Sequence, residues 1–160
     1  MIPGTPGSPA GEERGPKRSI ALVIAAPSGD GEPGARPRWL VVQRPFDDED
    51  LPGAWGLPAG SFAPGETGEE LVRRIGRQKL GVELRPDRPL ASGRAERTGY
   101  RLEMTLWAAV IETGTVEVPR PVRGITQYRD WGWRPPAALR PGAARGSLCC
   151  RLGLALSGEV

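Results

Sequence analysis

Hydrophobic positions along this chain fall into short runs separated by stretches dense in Gly, Pro and charge. Residues 19–26 (SIALVIAA) are apolar and β-prone, which predicts a buried strand. Residues 27–37 are rich in Gly, Pro and Asp and read as a loop. Residues 38–44 (RWLVVQR) predict a second strand, paired with the first as a hairpin. The acidic run 47–50 reads as an exposed loop. Residues 67–80 give the clearest helix. Thr67 and Glu70 have the spacing of a capping box. Leu71, Val72, Ile75 and Leu80 supply an apolar stripe, and Gly81 is a C-cap, whereas Gly76 weakens the pattern by about 1 kcal/mol.

Further on, residues 103–112 predict a central strand, with 90–97 beside it and a short strand starting at 115–118. Residues 126–133 (TQYRDWGW) read as a strand ended by Pro135 and Pro136, and 143–156 as a closing helix interrupted by Gly146 and Gly153. No internal repeat is present. The elements predict an α/β (α+β) sandwich with a mixed sheet between the central and C-terminal helices.

Composition narrows the chemistry. The 160 residues suit one domain, read as 18–160, behind a Pro/Gly-rich tail at 1–17 with no periodicity that reads as disordered. The net charge of +3 and sequence pI near 9.3 allow an anionic partner without demanding one. There is no His, which removes Ser-His and Cys-His catalysis and makes a zinc site improbable. Cys149 and Cys150 are adjacent and cannot staple distant elements; they read as buried small apolar groups. No apolar run is long enough to span a membrane, and the N-terminal residues lack the apolar core of a secretory signal. The expectation is a cytoplasmic protein with no membrane or nucleic-acid partner. Its oligomeric state is open, a dimer included.

Residues 51–82 (LPGAWGLPAGSFAPGETGEELVRRIGRQKLGV) carry a longer pattern. It resembles the box of the Nudix (MutT-like) hydrolases, G-x5-E-x7-R-E-U-x-E-E-x-G-U, with U a bulky aliphatic residue. Gly60, Glu66, Arg74, Gly81 and Val82 match, and residues 55–60 (WGLPAG) look like the family's W-x-L-P-G-G lead-in. The resemblance implies a loop–helix–loop in which helical carboxylates hold Mg2+ or Mn2+ against a diphosphate. It also implies an ion pair of Glu66 with Arg74 that shapes the loop. Where the family places its glutamates, this sequence has Ile75, Gln78 and Lys79, with Arg73, Arg74 and Arg77 around them. The signature framework is kept, and its metal-holding charge is reversed.

Two functions are therefore implied. One is a Nudix-type hydrolase of a nucleoside diphosphate linked to another moiety, a pyrophosphohydrolase. Its metal would be relocated to Glu66, Glu70 or Glu103, with Glu70 and Glu103 as catalytic carboxylates; Glu49, Asp50 and Asp130 are further acidic positions. The other is a catalytically inactive module that binds a nucleotide or another phosphate-containing small molecule as a sensor or regulator, without a cofactor. The substrate-binding positions are Arg44, Phe46, Ala59, Gly60, Arg77, Lys79 and Trp131. Trp131 and Trp133 are stacking platforms in the functional reading and core-packing residues in the plainer one.

Overall fold

The computed structural model describes residues 16–27, 37–119 and 127–158. Most of the 1–17 tail, most of the 27–37 loop and Thr126 lie outside these. Two sheets form the centre. One is a four-stranded mixed sheet in the order β4-β1-β6-β5, built from β1 (Lys17–Val23), β4 (Ala59–Ser61), β5 (Glu83–Arg97) and β6 (Tyr100–Thr113). Its β1–β6 pair is parallel and the others are antiparallel. The second sheet is antiparallel, in the order β3-β2-β7, from β2 (Trp39–Gln43), β3 (Trp55–Gly56) and β7 (Asp130–Arg134).

Alternation along β1 and β2 feeds two separate cores. Ile20, Leu22, Leu40 and Val42 pack with Leu71, Val72 and Ile75 of helix α1 (Gly68–Ile75). Ala21, Val23, Trp39 and Val41 pack with Leu148, Cys149, Cys150 and Leu154 of the C-terminal helix. The predicted layering, helix–sheet–helix, is present, with two sheets in the central layer where one was expected. Strands buried on both faces read as continuous apolar runs, as β1 and β2 do.

Several local expectations are corrected. The predicted β1–β2 hairpin exists only at its tip, where Leu40 N–H donates to Ile24 O at 2.9 Å and Ala26 N–H to Arg38 O at 2.8 Å. Beyond that the two strands part into different sheets, because β1 finds partners in β4 and β6. The 90–97 strand is the end of the longer β5, whose Pro86 and Pro89 are absorbed at register shifts. Residues 115–118 form no strand; Val116 is buried, and Glu117 N–H caps the Leu80 carbonyl. The closing helix is two pieces, α2 (Arg140–Ala144) and α3 (Leu148–Ser157), broken at Gly146 with φ +95° and restarted by the Ser147 cap.

Helix α1 begins as the capping box requires: Thr67 Oγ1 accepts from Glu70 N–H, and Glu70 Oε1 accepts from Thr67 N–H. It does not continue as a regular α-helix to Leu80. From Gly76 to Leu80 the backbone widens into a π-turn before Gly81 closes it in the left-handed region. Gly76 sits so close to Leu84 and the Val82 carbonyl that a Cβ there would lie within 3 Å of both. Such turns recur at functional sites, and this one projects Lys79 toward β4.

Candidate functional site

A cavity of about 610 Å³ opens beside β4. Its floor is Lys17 and Ser19 of β1 with Leu102 and Met104 of β6. Ala59, Gly60 and Ser61 of β4 form one wall, and Ser147, Leu148 and Cys149 at the start of α3 form another. Arg44 and the acidic segment 47–50 lie at the rim, and Lys79, Gln127 and Tyr128 complete the lining.

Lys79 is its central charge. The Nζ donates to Ala59 O at 2.6 Å and lies 5.5 Å from the centre of the Tyr128 ring. Tyr128 is buried, and its hydroxyl accepts from Ala59 N–H at 3.0 Å, so one short strand holds both groups. Among the described residues Lys79 forms no ion pair. Burial, reinforced by the positive charges of Arg44, Arg74 and Lys17, pushes its ammonium down to about 8 from an ordinary 10.5. Arg44 is held by Asp48 at 3.0 Å, and Asp48 also accepts from the Leu51 and Asp50 amides.

The positions that the Nudix resemblance assigns to metal ligands have each taken another job. Ile75 is 1 % exposed and packs under Gly60, where a Cβ would come within 2.9 Å of its Cγ1. Gln78 accepts from Arg74 Nη1 at 3.2 Å. Lys79 is bonded to β4. A divalent cation needs several oxygen donors, and an alkyl group, a pinned amide and an ammonium do not supply them. Among the described residues no group of three or more His, Cys, Asp or Glu could hold a metal elsewhere. The residues present do not fit the metal.

The framework of the box is formed. Arg74 grips Glu66 through two nitrogens at 2.7 and 2.8 Å and donates to Ser61 O at 2.7 Å. Glu66 also accepts from Ala63 N–H. Arg74, with the amide behind it, holds the Glu66 carboxyl below its usual range. The pair thus ties the loop to both β4 and α1.

Of the residues singled out by sequence, Arg44, Ala59, Gly60 and Lys79 line this one cavity, together with Glu49 and Asp50. The others lie elsewhere. Glu70 is engaged in the capping box. Glu103 sits opposite Arg18 on β6, in a second depression with Glu66 and Trp107. Arg77 is exposed and paired with Glu83 at 2.8 Å. Phe46 is 66 % exposed, with the Arg129 guanidinium 4.1 Å from its ring centre. Trp131 and Trp133 meet edge to face at 6.3 Å and both pack on the α1-side core. Asp130 bonds the Trp131 amide. Sequence reasoning did not single out Lys17, Ser19, Gln127, Tyr128 or Ser147. Only pairing across distant strands brings them together, and the one local signal was Tyr128 in an aromatic-rich stretch.

The layered fold and the loop–helix beside this cavity are those of the Nudix hydrolases. A MutT protein from Methanosarcina mazei superposes with a TM-score of 0.68 at 16 % identity, over 92 % of this chain and 96 % of that one. A MutT Nudix hydrolase from Burkholderia pseudomallei gives 0.65 at 21 %, over 92 % and 99 %. The Nudix domain of Shewanella oneidensis NrtR, solved with ADP ribose, gives 0.61 at 17 %, over 92 % and 89 %. Identities this low establish the fold. No protein-family model and no curated protein sequence matches the chain. Among the described residues no helix is long and apolar enough to cross a membrane.

Proposed function

We propose that this Nudix-fold chain is a metal-independent binding module for a phosphate-bearing small molecule of the nucleotide class. The observation that carries the reading is the Lys79 ammonium: deeply set, without a carboxylate partner among the described residues, and flanked by Arg44 and Lys17. A sequestered cation without a counter-ion is costly, and a ligand anion removes that cost. Lys79 then supplies inside the protein the positive charge that a metal supplies to phosphates in the hydrolases. Arg44, preset by Asp48, reaches the same space as a second donor, and its fork suits phosphate oxygens. The ADP ribose held by the Shewanella domain supports a ligand of this class.

Hydrolysis is the alternative. It would require carboxylates that recruit magnesium from outside the Ile75, Gln78 and Lys79 positions. The test is calorimetry with pyrophosphate, ADP and ADP-ribose in the presence of EDTA, alongside phosphate release with magnesium or manganese. Binding in EDTA that is lost in Lys79→Met, with no phosphate release, is the expected result. Metal-dependent turnover that Glu70→Gln or Glu103→Gln abolishes would replace the module reading with the hydrolase one.

A further inference from the structure

Among the described residues, two buried side-chain atoms have no hydrogen-bond partner: Ser19 Oγ and Gln127 Oε1. Both residues are more than nine-tenths buried, and both line the Lys79 cavity. Buried polar atoms are nearly always paired, so two orphans bordering one cavity call for a common explanation.

The orientation of Gln127 is fixed by its neighbour. Its Nε2 donates to the Gln78 carbonyl at 3.3 Å. A carbonyl can only accept, so the amide nitrogen must face it, and Oε1 is left as a pure acceptor. Ser19 stands opposite Ser61 of β4 and Met104 of β6, and both of those also line the cavity. Residues in register share a face of the sheet, which puts the Ser19 hydroxyl on the cavity floor beside Lys17. A hydroxyl can donate or accept.

We propose that Gln127 Oε1 and Ser19 Oγ read the organic part of the ligand, Gln127 requiring an N–H or O–H donor and Ser19 supplying a second hydrogen bond. The inference rests on the anion-binding reading above and adds the residues that set specificity. Ionised phosphate oxygens cannot satisfy Gln127, because two acceptors repel. A bare diphosphate therefore meets Lys79 and leaves Gln127 unpaired. Sites built around buried hydrogen-bonding groups reject ligands that leave those groups unpaired.

The experiment is calorimetric titration of the full chain, and of Ser19→Ala and Gln127→Leu, with pyrophosphate, ADP and UDP-glucose. At least one organic diphosphate should bind about tenfold or more tightly than pyrophosphate. Each substitution should remove most of that advantage, read as the ratio of organic-diphosphate to pyrophosphate affinity within each variant. Thermal melting of the free protein separates this from a structural role: Ser19→Ala should melt no lower than the native chain, because it deletes an orphaned hydroxyl. Equal affinity for all three ligands, or an advantage that survives both substitutions, overturns the inference while leaving the anion site standing. Failure of pyrophosphate and both organic diphosphates to bind would instead overturn the anion-binding reading, and the inference with it.

Discussion

Ile75 lies directly beneath Gly60, so close that a methyl group on Gly60 would fall 2.9 Å from Ile75 Cγ1. A position that the Nudix resemblance gives to a metal-binding carboxylate is here a core residue, 1 % exposed, and β4 has settled onto it at Gly60. Ile75→Glu should therefore destabilise the fold by about 3–5 kcal/mol, because the acid would be an unpaired buried charge or be forced to stay protonated. Chemical denaturation of the single variant checks this. A native-like midpoint would mean that the helix face is more open than its packing indicates. The same cost would burden any attempt to rebuild the metal site.

Lys79 should make anion affinity pH-dependent. Its folded value near 8 lies below its ordinary 10.5, so between the two the unfolded chain binds more protons and stability rises with pH. The cost of the buried ammonium is fully present below pH 8 and fades as pH climbs toward 10.5. Lys79→Met should accordingly melt higher than the native chain at pH 7 and lose that advantage at pH 10. Anion binding favours the charged form, so pyrophosphate affinity should fall above pH 8, approaching about tenfold per pH unit. Lys79→Arg should flatten that decline, since a guanidinium stays charged. Calorimetry between pH 6.5 and 9.5 reads both effects.

Gly76→Ala tests the π-turn. Helix propensity alone predicts a gain of about 1 kcal/mol. The new methyl would meet Leu84 Cγ at 2.7 Å and the Val82 carbonyl at 2.9 Å. Overpacking should win and destabilise the protein by about 1–3 kcal/mol net. Urea unfolding decides the sign.

Glu66→Gln should weaken the tie between loop and helix. Its partner Arg74 is one-third exposed, so screening limits the loss to about 1 kcal/mol at neutral pH. Because the Glu66 carboxyl is held below its ordinary 4.5, its contribution is complete above that pH and disappears as pH falls through the folded value. The native and Glu66→Gln midpoints should therefore converge under acid conditions. Melting curves from pH 7 down to 3 follow the convergence.

Much of this protein was legible in its sequence because the signals are local. The Thr67–Glu70 box, the stripe of Leu71, Val72 and Ile75, the left-handed Gly81 and the Glu66–Arg74 spacing all lie within a few turns of one another. Short-range geometry determines such features, and the box pattern pointed to the fold. The replacement of carboxylates by Ile75, Gln78 and Lys79 could be read directly.

What tertiary structure alone decided was where those side chains and their partners go. Hydropathy shows that β1 and β2 are buried on both faces but not which strands they pair with, so the expected hairpin became two sheets. The sequence names Lys79 as a substrate-binding position but gives no sign of what surrounds it. A π-turn, Ala59 twenty residues earlier and Tyr128 forty-nine residues later turn it into a half-buried cation with no ion-pair partner among the described residues. Ser19 and Gln127 carry no sequence signal at all. A polar residue's function depends on whether the fold satisfies it, and pairing between distant segments settles that.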